Sequence, residues 1–444
     1  MLDALCFNTS NGAYYSSDSF SVDRNIIRMV NQKRILNFKN KKVNNNKENS
    51  NLLNQVSSIV CSKINQFERL HHAEQIHKRE ISSIPERILD APNLVDDYYL
   101  NLLDWGKKNV LAVSLGKTVY LWNNQTGQTY QLCEDTNNIC SVNWMGNGVC
   151  LAVGLYDGSC VLYDIEKLVR IRKMDGHKEN SRVSALSWNK YIISTGGKDG
   201  NIINHDVRDK KHIIHMLKAH RKEVCQLKWS LDGEYLASGG NDNLVNIWEV
   251  NTSKTFSQLN LELDDNENEK GDKPPYDIYN PKFCLTQHSS AVKALAWSPF
   301  QRNILVSGGG TRDKRIKIWN SDNGSLINSF DTGSQVCSLL FNKYEREIIS
   351  SHGFSKNQIS IWSYPSMKKI TELTGHTNRV LYTSMSPDHS TLVSGSPDET
   401  LRFWKINNIE KINEYEVENM NEHRSSYKRS KKKNCETFGE INIR

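Results

Sequence analysis

The sequence predicts an all-β fold in which seven four-stranded sheets close into a ring, a β-propeller. Two observations carry this prediction. Turn residues followed by alternating apolar positions and a closing aromatic residue or histidine recur seven times, at spacings of 41, 42, 43, 71, 43 and 42 residues. The closing positions are Trp122, Tyr163, His205, Trp248, Trp319, Trp362 and Trp404. A second series of seven lies earlier in each unit, and the two series together contain all ten tryptophans.

Each unit has the pattern of several short strands. Val245 and Ile247 alternate with polar Asn246 after a turn at 241–243, and this period of two is typical of a half-buried strand. Four short strands in about 42 residues form a blade of a WD-repeat propeller. Seven such blades close a ring, which removes the exposed edges that an open sheet would have to protect.

Four histidines and four aspartates recur within the same frame. The histidines are His177, His220, His288 and His376, and the aspartates that follow in the next turn are Asp199, Asp242, Asp313 and Asp398. In WD repeats such a pair joins a Ser or Thr and the Trp in a buried hydrogen-bond network. A metal or catalytic role is the alternative, but the structural role explains all four pairs at once.

The predicted propeller spans residues 84–406. An extended piece, Ile84–Pro92, precedes the first blade, which begins near Tyr98, and is available to close the ring by pairing with the last blade. The insertion at about 253–282 is acidic and is interpreted as a solvated loop.

The two ends of the chain are predicted to lie outside the ring. Residues 1–83 contain no proline and an Asn- and Lys-rich run, which predicts disorder. Within them, apolar residues at helical spacing predict a short amphipathic helix over 56–79 that orders against a partner. Residues 407–444 form a charged tail with a basic run at 424–433, which is either a nuclear-import signal or a solvated linker.

Composition excludes several classes of function. The net charge is +7, but residues 84–406 hold 37 basic and 36 acidic side chains, which argues against a nucleic-acid-binding face. No apolar run approaches the ~20 residues that a membrane span needs, so we expect a soluble intracellular protein. Ten scattered cysteines without a C-x-x-C pair, and the lack of known catalytic or phosphate-binding motifs, predict no metal, no cofactor and no enzymatic activity.

Several blocks of the sequence go beyond a generic WD repeat. They include IPERILDAPNLVDDYYLNLLDW at 84–105, ASGGNDNLVNIW at 237–248, SGGGTRDKRIKIWN at 307–320, GHTNRVLYTSMSPD at 375–388 and the terminal Ile443-Arg444. The chain thereby resembles the fizzy and fizzy-related family, the activators that bring substrates to the anaphase-promoting complex, a ubiquitin ligase. RILNF, IPERILDAP and NDNLVNIW favour the fizzy branch, whereas GSQVC and LRFW occur readily in the other.

The resemblance implies a non-catalytic co-activator that reads short degrons. A Lys-Glu-Asn motif would bind one face of the ring at Asp97, Tyr98, Asn241, Asn243, Thr311, Gln335 and Arg379. Asp97 can hold a lysine, Arg379 can fork onto a glutamate, and the amides can both donate to and accept from an asparagine. The alternative for the segment 239–243 is a tight turn without a ligand role.

A second motif, Arg-x-x-Leu, is implied to bind in a groove between the first and last blades. Asp90 and Glu399 would face its arginine, and Leu89 would contact its leucine. Glu399 has the alternative interpretation of a solvated turn residue.

Docking on the ligase is implied for both ends of the chain. Asp23, Arg24 and Ile26 match a family Asp-Arg-x-Ile-Pro motif, although Ile27 stands where proline is expected. Ile443 and Arg444 match a tail that a helical-repeat groove on the ligase would grip. The segment Lys33, Arg34, Ile35 and Leu36 resembles one that engages the ligase or checkpoint inhibitors. Lys47-Glu48-Asn49 is either a degron of the protein itself or a fortuitous match, and Lys178-Glu179-Asn180 is interpreted as accidental.

The expected partners follow from this assignment. They are subunits of the anaphase-promoting complex, degron-bearing substrates such as cyclins and securin-like proteins, and spindle-checkpoint proteins, in the nucleus and cytoplasm. A rival hypothesis, a WD-repeat assembly platform, predicts no degron binding and no dependence on residues 443–444. A propeller hydrolase would require clustered acids or metal ligands at the central channel.

Overall fold

The computed structural model describes residues 81–250 and 277–408, together with Arg79. The chain divides into two units, Met1–Arg79 and Glu80–Arg444, and the fold below belongs to the second. The predicted helix over 56–79 lies outside the described residues except for Arg79, as do the motifs at 23–28, 33–36, 47–49 and 443–444.

Within the described residues, 29 strands form seven sheets and no helix is present. Strand β1 is Arg87–Asp90. Blade one is β2 to β5: Leu103–Trp105, Val110–Leu115, Thr118–Asn123 and Thr129–Glu134. Blade two is β6 to β9: Ser141–Trp144, Cys150–Gly154, Cys160–Asp164 and Val169–Met174. Blade three begins with β10 to β13: Val183–Asn189, Ile192–Gly197, Asn201–Asp206 and Ile213–Lys218.

The remaining blades repeat the order. Blade four has β14 to β16, Val224–Trp229, Tyr235–Gly240 and Val245–Glu249, and after the insertion come β17, Asp277–Tyr279, and β18, Phe283–Leu285. Blade five is β19 to β22: Val292–Trp297, Ile304–Gly309, Arg315–Asn320 and Leu326–Asp331. Blade six is β23 to β26: Val336–Asn342, Glu347–His352, Ile359–Ser363 and Lys368–Leu373. Blade seven has β27 to β29: Tyr382–Met385, Thr391–Ser396 and Thr400–Lys405. The predicted seven-bladed propeller is confirmed.

The ring closes through the strand that precedes blade one. β1 pairs antiparallel with β29 over four residues, from Arg87 opposite Phe403 to Asp90 opposite Thr400, and so forms the fourth strand of blade seven. The expectation that Ile84–Pro92 pairs with the last blade is confirmed. The last blade therefore combines strands from the two ends of the repeat region.

The insertion differs from its interpretation as a loop. Its described end, β17, pairs parallel with β13 and adds a fifth strand to blade three, while β18 is the outer strand of blade four. The prediction of a solvated loop over 253–282 is therefore wrong at this end. The outer strand of a blade exposes unpaired backbone groups that a passing segment can satisfy, and three residues are too few for a recognisable period.

The inner strands pack closely because small residues end the second strand of several blades. All six residues of β19 and of β20 are buried. A Cβ added to Gly196 would lie 2.7 Å from Cγ1 of Val224 in the next blade. This glycine therefore allows the first strand of blade four to approach blade three.

The four predicted histidine and aspartate pairs are present and buried. In blade seven, Nε1–H of Trp404 donates to Oγ of Ser394 (2.9 Å), Ser394 lies 2.8 Å from Nε2 of His376, and Nδ1 of His376 lies 2.8 Å from Asp398. Because a carboxylate only accepts, Nδ1 of the neutral imidazole carries the proton and Nε2 accepts from Ser394. Equivalent His–Asp contacts join His177 to Asp199, His220 to Asp242 and His288 to Asp313.

The network fixes the charge of its members. Burial lowers the pKa of His376, and Asp398 offsets that effect only in part. Burial would raise the pKa of Asp398, but hydrogen bonds from His376 and Thr400 outweigh it and hold that pKa at about 2. A neutral histidine on an ionised aspartate therefore persists at neutral pH.

Two blades use other side chains around the same central hydroxyl. In blade three, Thr195 lies between His177 (2.8 Å) and His205 (3.1 Å), and His205 occupies the tryptophan position. In blade six, Ser350 accepts from Trp362 (2.7 Å) and contacts His352 (2.7 Å). The hydroxyl at the centre is thus the constant member of these networks.

We predict that Ser394→Ala lowers the free energy of unfolding by about 1–3 kcal/mol, because Trp404 and His376 each lose a buried partner. The measurement is the urea unfolding midpoint, followed by tryptophan fluorescence. Ser366→Ala, at an exposed turn, is the control and should leave the midpoint unchanged. Equal midpoints for the two variants would contradict the role of the network.

Candidate functional site

Residues 95–101 cross one end of the ring, and we call them the bridging segment. This end carries the turns between the second and third strands of the blades, and we call it the loop face. The hydroxyl of Tyr98 donates to the carbonyl of Val336 in blade six (3.0 Å). The side-chain amide of Asn101 donates to the carbonyls of Ser184 (2.7 Å) and Cys225 (3.0 Å) in blades three and four. The segment is therefore held from several sides of the ring.

A partly buried arginine connects the bridging segment to two blades. Nη1 of Arg182 donates to Asp97 (2.7 Å), and its Nε and Nη2 donate to the two carboxylate oxygens of Glu223 (2.7 and 3.0 Å). Burial would lower the pKa of Arg182, but Glu223 and Asp97 outweigh it and raise that pKa. The carboxylate of Asp97 also accepts from the backbone N–H of Tyr99 (2.9 Å), so its orientation is fixed twice.

A second ion pair lies on the blade-seven side of the loop face. Nε of Arg379 donates to Asp96 (2.7 Å), and the side chain of Arg379 keeps 20% of its surface exposed. An added Cβ at Gly353 would lie 3.0 Å from Gln335 and 3.5 Å from Cβ of Arg379. Gln335 and Arg379 therefore both lie beside Gly353.

Beneath these pairs lies a buried lysine. Nζ of Lys293 donates to the carbonyl of Leu381 (3.1 Å) and lies 4.6 and 5.7 Å from the ring centroids of Tyr382 and Tyr98. Burial lowers the pKa of Lys293 to about 8, although nearby cysteines and Asp97 oppose that effect. The lysine is therefore largely protonated at neutral pH and adds a positive charge below the loop face.

Most residues expected at the Lys-Glu-Asn site are connected in the structure. Asp97 and Tyr98 belong to the bridging segment, and Asn241 accepts from Tyr99 of that segment. Arg379 donates to Asp96 of the segment and lies with Gln335 beside Gly353. Asn243 lies in the same turn as Asn241, and its own φ is 68°. Thr311 lies in the exposed turn between β20 and β21. Their role as ligand contacts stays a prediction.

Tyr98 is buried, and its hydroxyl is bonded to the backbone. The hydroxyl of Tyr99, in contrast, donates to the amide oxygen of Asn241 (3.2 Å). In the structure Tyr98 anchors the bridging segment, while Tyr99 orients an amide.

Sequence reasoning missed four residues of this cluster. They are Asp96, Tyr99 and Arg182, which each contact a predicted residue, and Glu223, which pairs with Arg182. The adjacent acids in VDDYY were a usable signal for Asp96 and Tyr99. Arg182 and Glu223 precede the first strands of blades three and four, and only the ring brings them together.

The residues expected at the second degron lie together in a groove between blades seven and one. The groove encloses about 500 Å³. Its apolar lining is Leu89, Val113, Leu115, Tyr120, Trp122 and Leu401, and Asp90 and Asn93 lie at its edge. The carboxylate of Glu399 accepts from the backbone N–H of Asn93 (3.0 Å), which places this acid beside the groove. An apolar floor with acids at the rim suits a peptide that presents a leucine and an arginine.

The central channel holds a cavity of about 130 Å³ lined by Asp104, Lys228 and Lys293 among others. Burial raises the pKa of Asp104, although hydrogen bonds from Trp144 and the charge of Lys228 oppose that effect. The described parts of the chain contain no group of three or more His, Cys, Asp or Glu side chains placed to hold a metal ion. Among the residues that the structure describes, none forms a helix of the length and hydrophobicity that crossing a bilayer requires.

Comparison with known proteins agrees with the resemblance. A protein-family model described as the CDC20/Fizzy WD40 domain matches residues 89–404. "Anaphase-promoting complex subunit cdc20" of Dictyostelium discoideum is 48% identical over 331 residues, which cover 74% of this chain and 61% of that protein. "Cell division cycle 20.1, cofactor of APC complex" of Arabidopsis thaliana is 48% identical, over 74% of this chain and 68% of that protein.

Both branches of the resemblance are represented. "Protein FIZZY-RELATED 3" of Arabidopsis thaliana is 44% identical over 74% of this chain and 63% of that protein. A chain in a solved structure, "Crystal Structure of Mitotic Checkpoint Complex", matches with a TM-score of 0.66 and 43% identity, over 74% of this chain and 94% of that chain. The chain thus matches about three fifths of the Dictyostelium cdc20 relative's length. The preference for the fizzy branch stays a prediction.

Proposed function

The chain belongs to the CDC20/Fizzy WD40 family, and on that premise we propose that it is a substrate-recognition co-activator of the anaphase-promoting complex. It presents degron-bearing substrates to the ligase, which supplies the bond-making step. Relatives named as a subunit and a cofactor of that complex support this assignment. The observation that carries it is the pair of sites on one ring, a charged loop face and an apolar groove with acidic edges.

At the loop face the ligand is a Lys-Glu-Asn motif. Asp97 is partly exposed and attracts the lysine, while the amide of Asn241 offers donors and acceptors to the asparagine. Arg379 uses mainly Nε for Asp96, so its other N–H groups can fork onto the glutamate. Each end of the motif therefore meets a complementary group.

In the groove between blades seven and one the ligand is an Arg-x-x-Leu motif. The leucine contacts Leu89 and its apolar neighbours, and the arginine lies against Asp90 and Glu399. The two sites share no residue, and a substrate that carries both motifs would gain avidity, because two weak contacts are then joined on one chain.

The ends of the chain attach the ring to the ligase. Ile443 and Arg444 offer an apolar side chain, a guanidinium and a carboxylate to a helical-repeat groove, and Asp23, Arg24 and Ile26 provide a second contact. The segment 33–36 engages the ligase or a spindle-checkpoint protein, and the similarity to a chain of a mitotic checkpoint complex supports the latter. The substrates are degron-bearing proteins such as cyclins and securin-like proteins, in the nucleus and cytoplasm.

We predict that Arg379→Glu weakens binding of a Lys-Glu-Asn peptide at least tenfold, because a second acid faces the peptide glutamate. Fluorescence anisotropy with a labelled peptide measures the dissociation constant. Arg302→Glu, an exposed arginine that is also paired with acids, is the matched control and should bind as the wild type does. Equal affinity of the two variants would refute the site.

For the groove, we predict that Glu399→Lys weakens an Arg-x-x-Leu peptide about fivefold and leaves a Lys-Glu-Asn peptide unaffected, because the charge beside the peptide arginine is reversed. The same anisotropy assay measures both peptides. Glu166→Lys, an exposed acid of blade two, is the control. Parallel losses for both peptides would contradict a separate site.

Deletion of Ile443 and Arg444 should reduce co-purification with the ligase and ubiquitin transfer to a degron-bearing substrate. Peptide affinity of the ring should stay unchanged, because these residues are assigned to docking. The experiment compares the intact and the shortened full-length protein with purified ligase. Undiminished ubiquitin transfer by the shortened protein would count against the docking role, and a ring that binds no degron would count against the whole proposal.

A further inference from the structure

We propose that Glu223 determines the preference of the loop face for lysine, by neutralising Arg182 so that Asp97 can hold a positively charged ligand group. This inference rests on the proposed function, since the ligand is the lysine of a Lys-Glu-Asn motif. Glu223 acts through Arg182 and Asp97 and is a positioning residue. The ligand's lysine need not touch it.

The three side chains form an ion-pair network in which Arg182 lies between two carboxylates. Nε and Nη2 of Arg182 donate to the two carboxylate oxygens of Glu223, and Nη1 donates to Asp97. The exposed fractions of the side chains are 6% for Glu223, 16% for Arg182 and 24% for Asp97. The acid that a ligand can reach is therefore Asp97, and the acid that balances the arginine is buried behind it.

The charge count around the bridging segment shows what Glu223 contributes. The acids are Asp96, Asp97 and Glu223, and the cations are Arg182, Arg379 and Lys293. With all six present the charges cancel. Without Glu223 the cluster has one excess positive charge, which repels a lysine.

Without a second acid beside it, Arg182 would disfavour the binding of a lysine at Asp97. Its guanidinium lies 2.7 Å from Asp97, so it competes directly for the carboxylate that the ligand needs. The bidentate pair with Glu223 neutralises the charge of Arg182 and so weakens this competition, while Arg182 still holds Asp97 in place. The main chain of Glu223 also accepts from the N–H of Asn241 (2.9 Å), and substitution of its side chain preserves that contact.

A structural ion pair and a specificity role predict different results. If Glu223 only held the fold, its loss would weaken all peptides alike. If it sets the local charge, its loss weakens only peptides whose first motif residue is positively charged, and removal of Arg182 together with Glu223 restores the preference.

The test uses the full-length protein and two labelled peptides that differ at one position, Lys-Glu-Asn and the same peptide with uncharged norleucine for lysine. Glu223→Gln keeps the shape and removes the charge, Glu223→Asp keeps the charge, and Arg182→Gln with Glu223→Gln removes one charge of each sign. Glu234→Gln, at the other end of β15 from Asn241, is the matched control. Thermal unfolding checks that each variant is folded.

We expect the wild type, Glu223→Asp and Glu234→Gln to bind the lysine peptide in preference to the norleucine peptide. In Glu223→Gln this preference should fall about fivefold, less so in high salt, and it should return in the double variant. An unchanged preference in Glu223→Gln, or equal losses for both peptides, overturns the inference. A wild type that binds neither peptide contradicts the proposed function itself, which distinguishes the two failures.

Discussion

The pairing of β1 with β29 is the contact on which both the ring and its candidate sites depend. It completes blade seven with a strand from the start of the repeat region, so the ring has no open blade at the join. It also fixes where the chain goes next. The end of β1 lines the groove with Leu89 and Asp90, and the chain then crosses the loop face as the bridging segment. One backbone pairing thus positions both candidate peptide sites.

Rigidity of the loop face has a separate local origin. The buried chain from tryptophan through a hydroxyl and a neutral histidine to an ionised aspartate fixes the turn in which the aspartate lies. In blade four the same network, through His220 and Asp242, fixes the turn that carries Asn241. The candidate contact residue Asn241 is therefore held in place by buried residues, which lowers the conformational entropy that a ligand would have to remove on binding.

Charge on the loop face is arranged in compensated pairs. Asp96 is paired with Arg379, and Asp97 shares Arg182 with Glu223. Such pairing keeps the cluster close to neutral, while Asp97 and Arg379 each stay partly exposed. A ligand of this face would be selected by local charge complementarity rather than attracted by net charge, in keeping with the near-neutral composition of the ring.

The amino-acid sequence determined the repeat, the number of blades, the histidine and aspartate pairs and the closing strand, because period and spacing are local properties that a chain displays without folding. It also identified Leu89, Asp90 and Glu399, which the structure brings to one groove. Only the tertiary structure decided that Arg182 and Glu223 meet Asp97, and that β17 joins blade three. These contacts join residues that are far apart in the sequence and come from different parts of the ring. They form only when the ring closes, so no local sequence pattern reveals them.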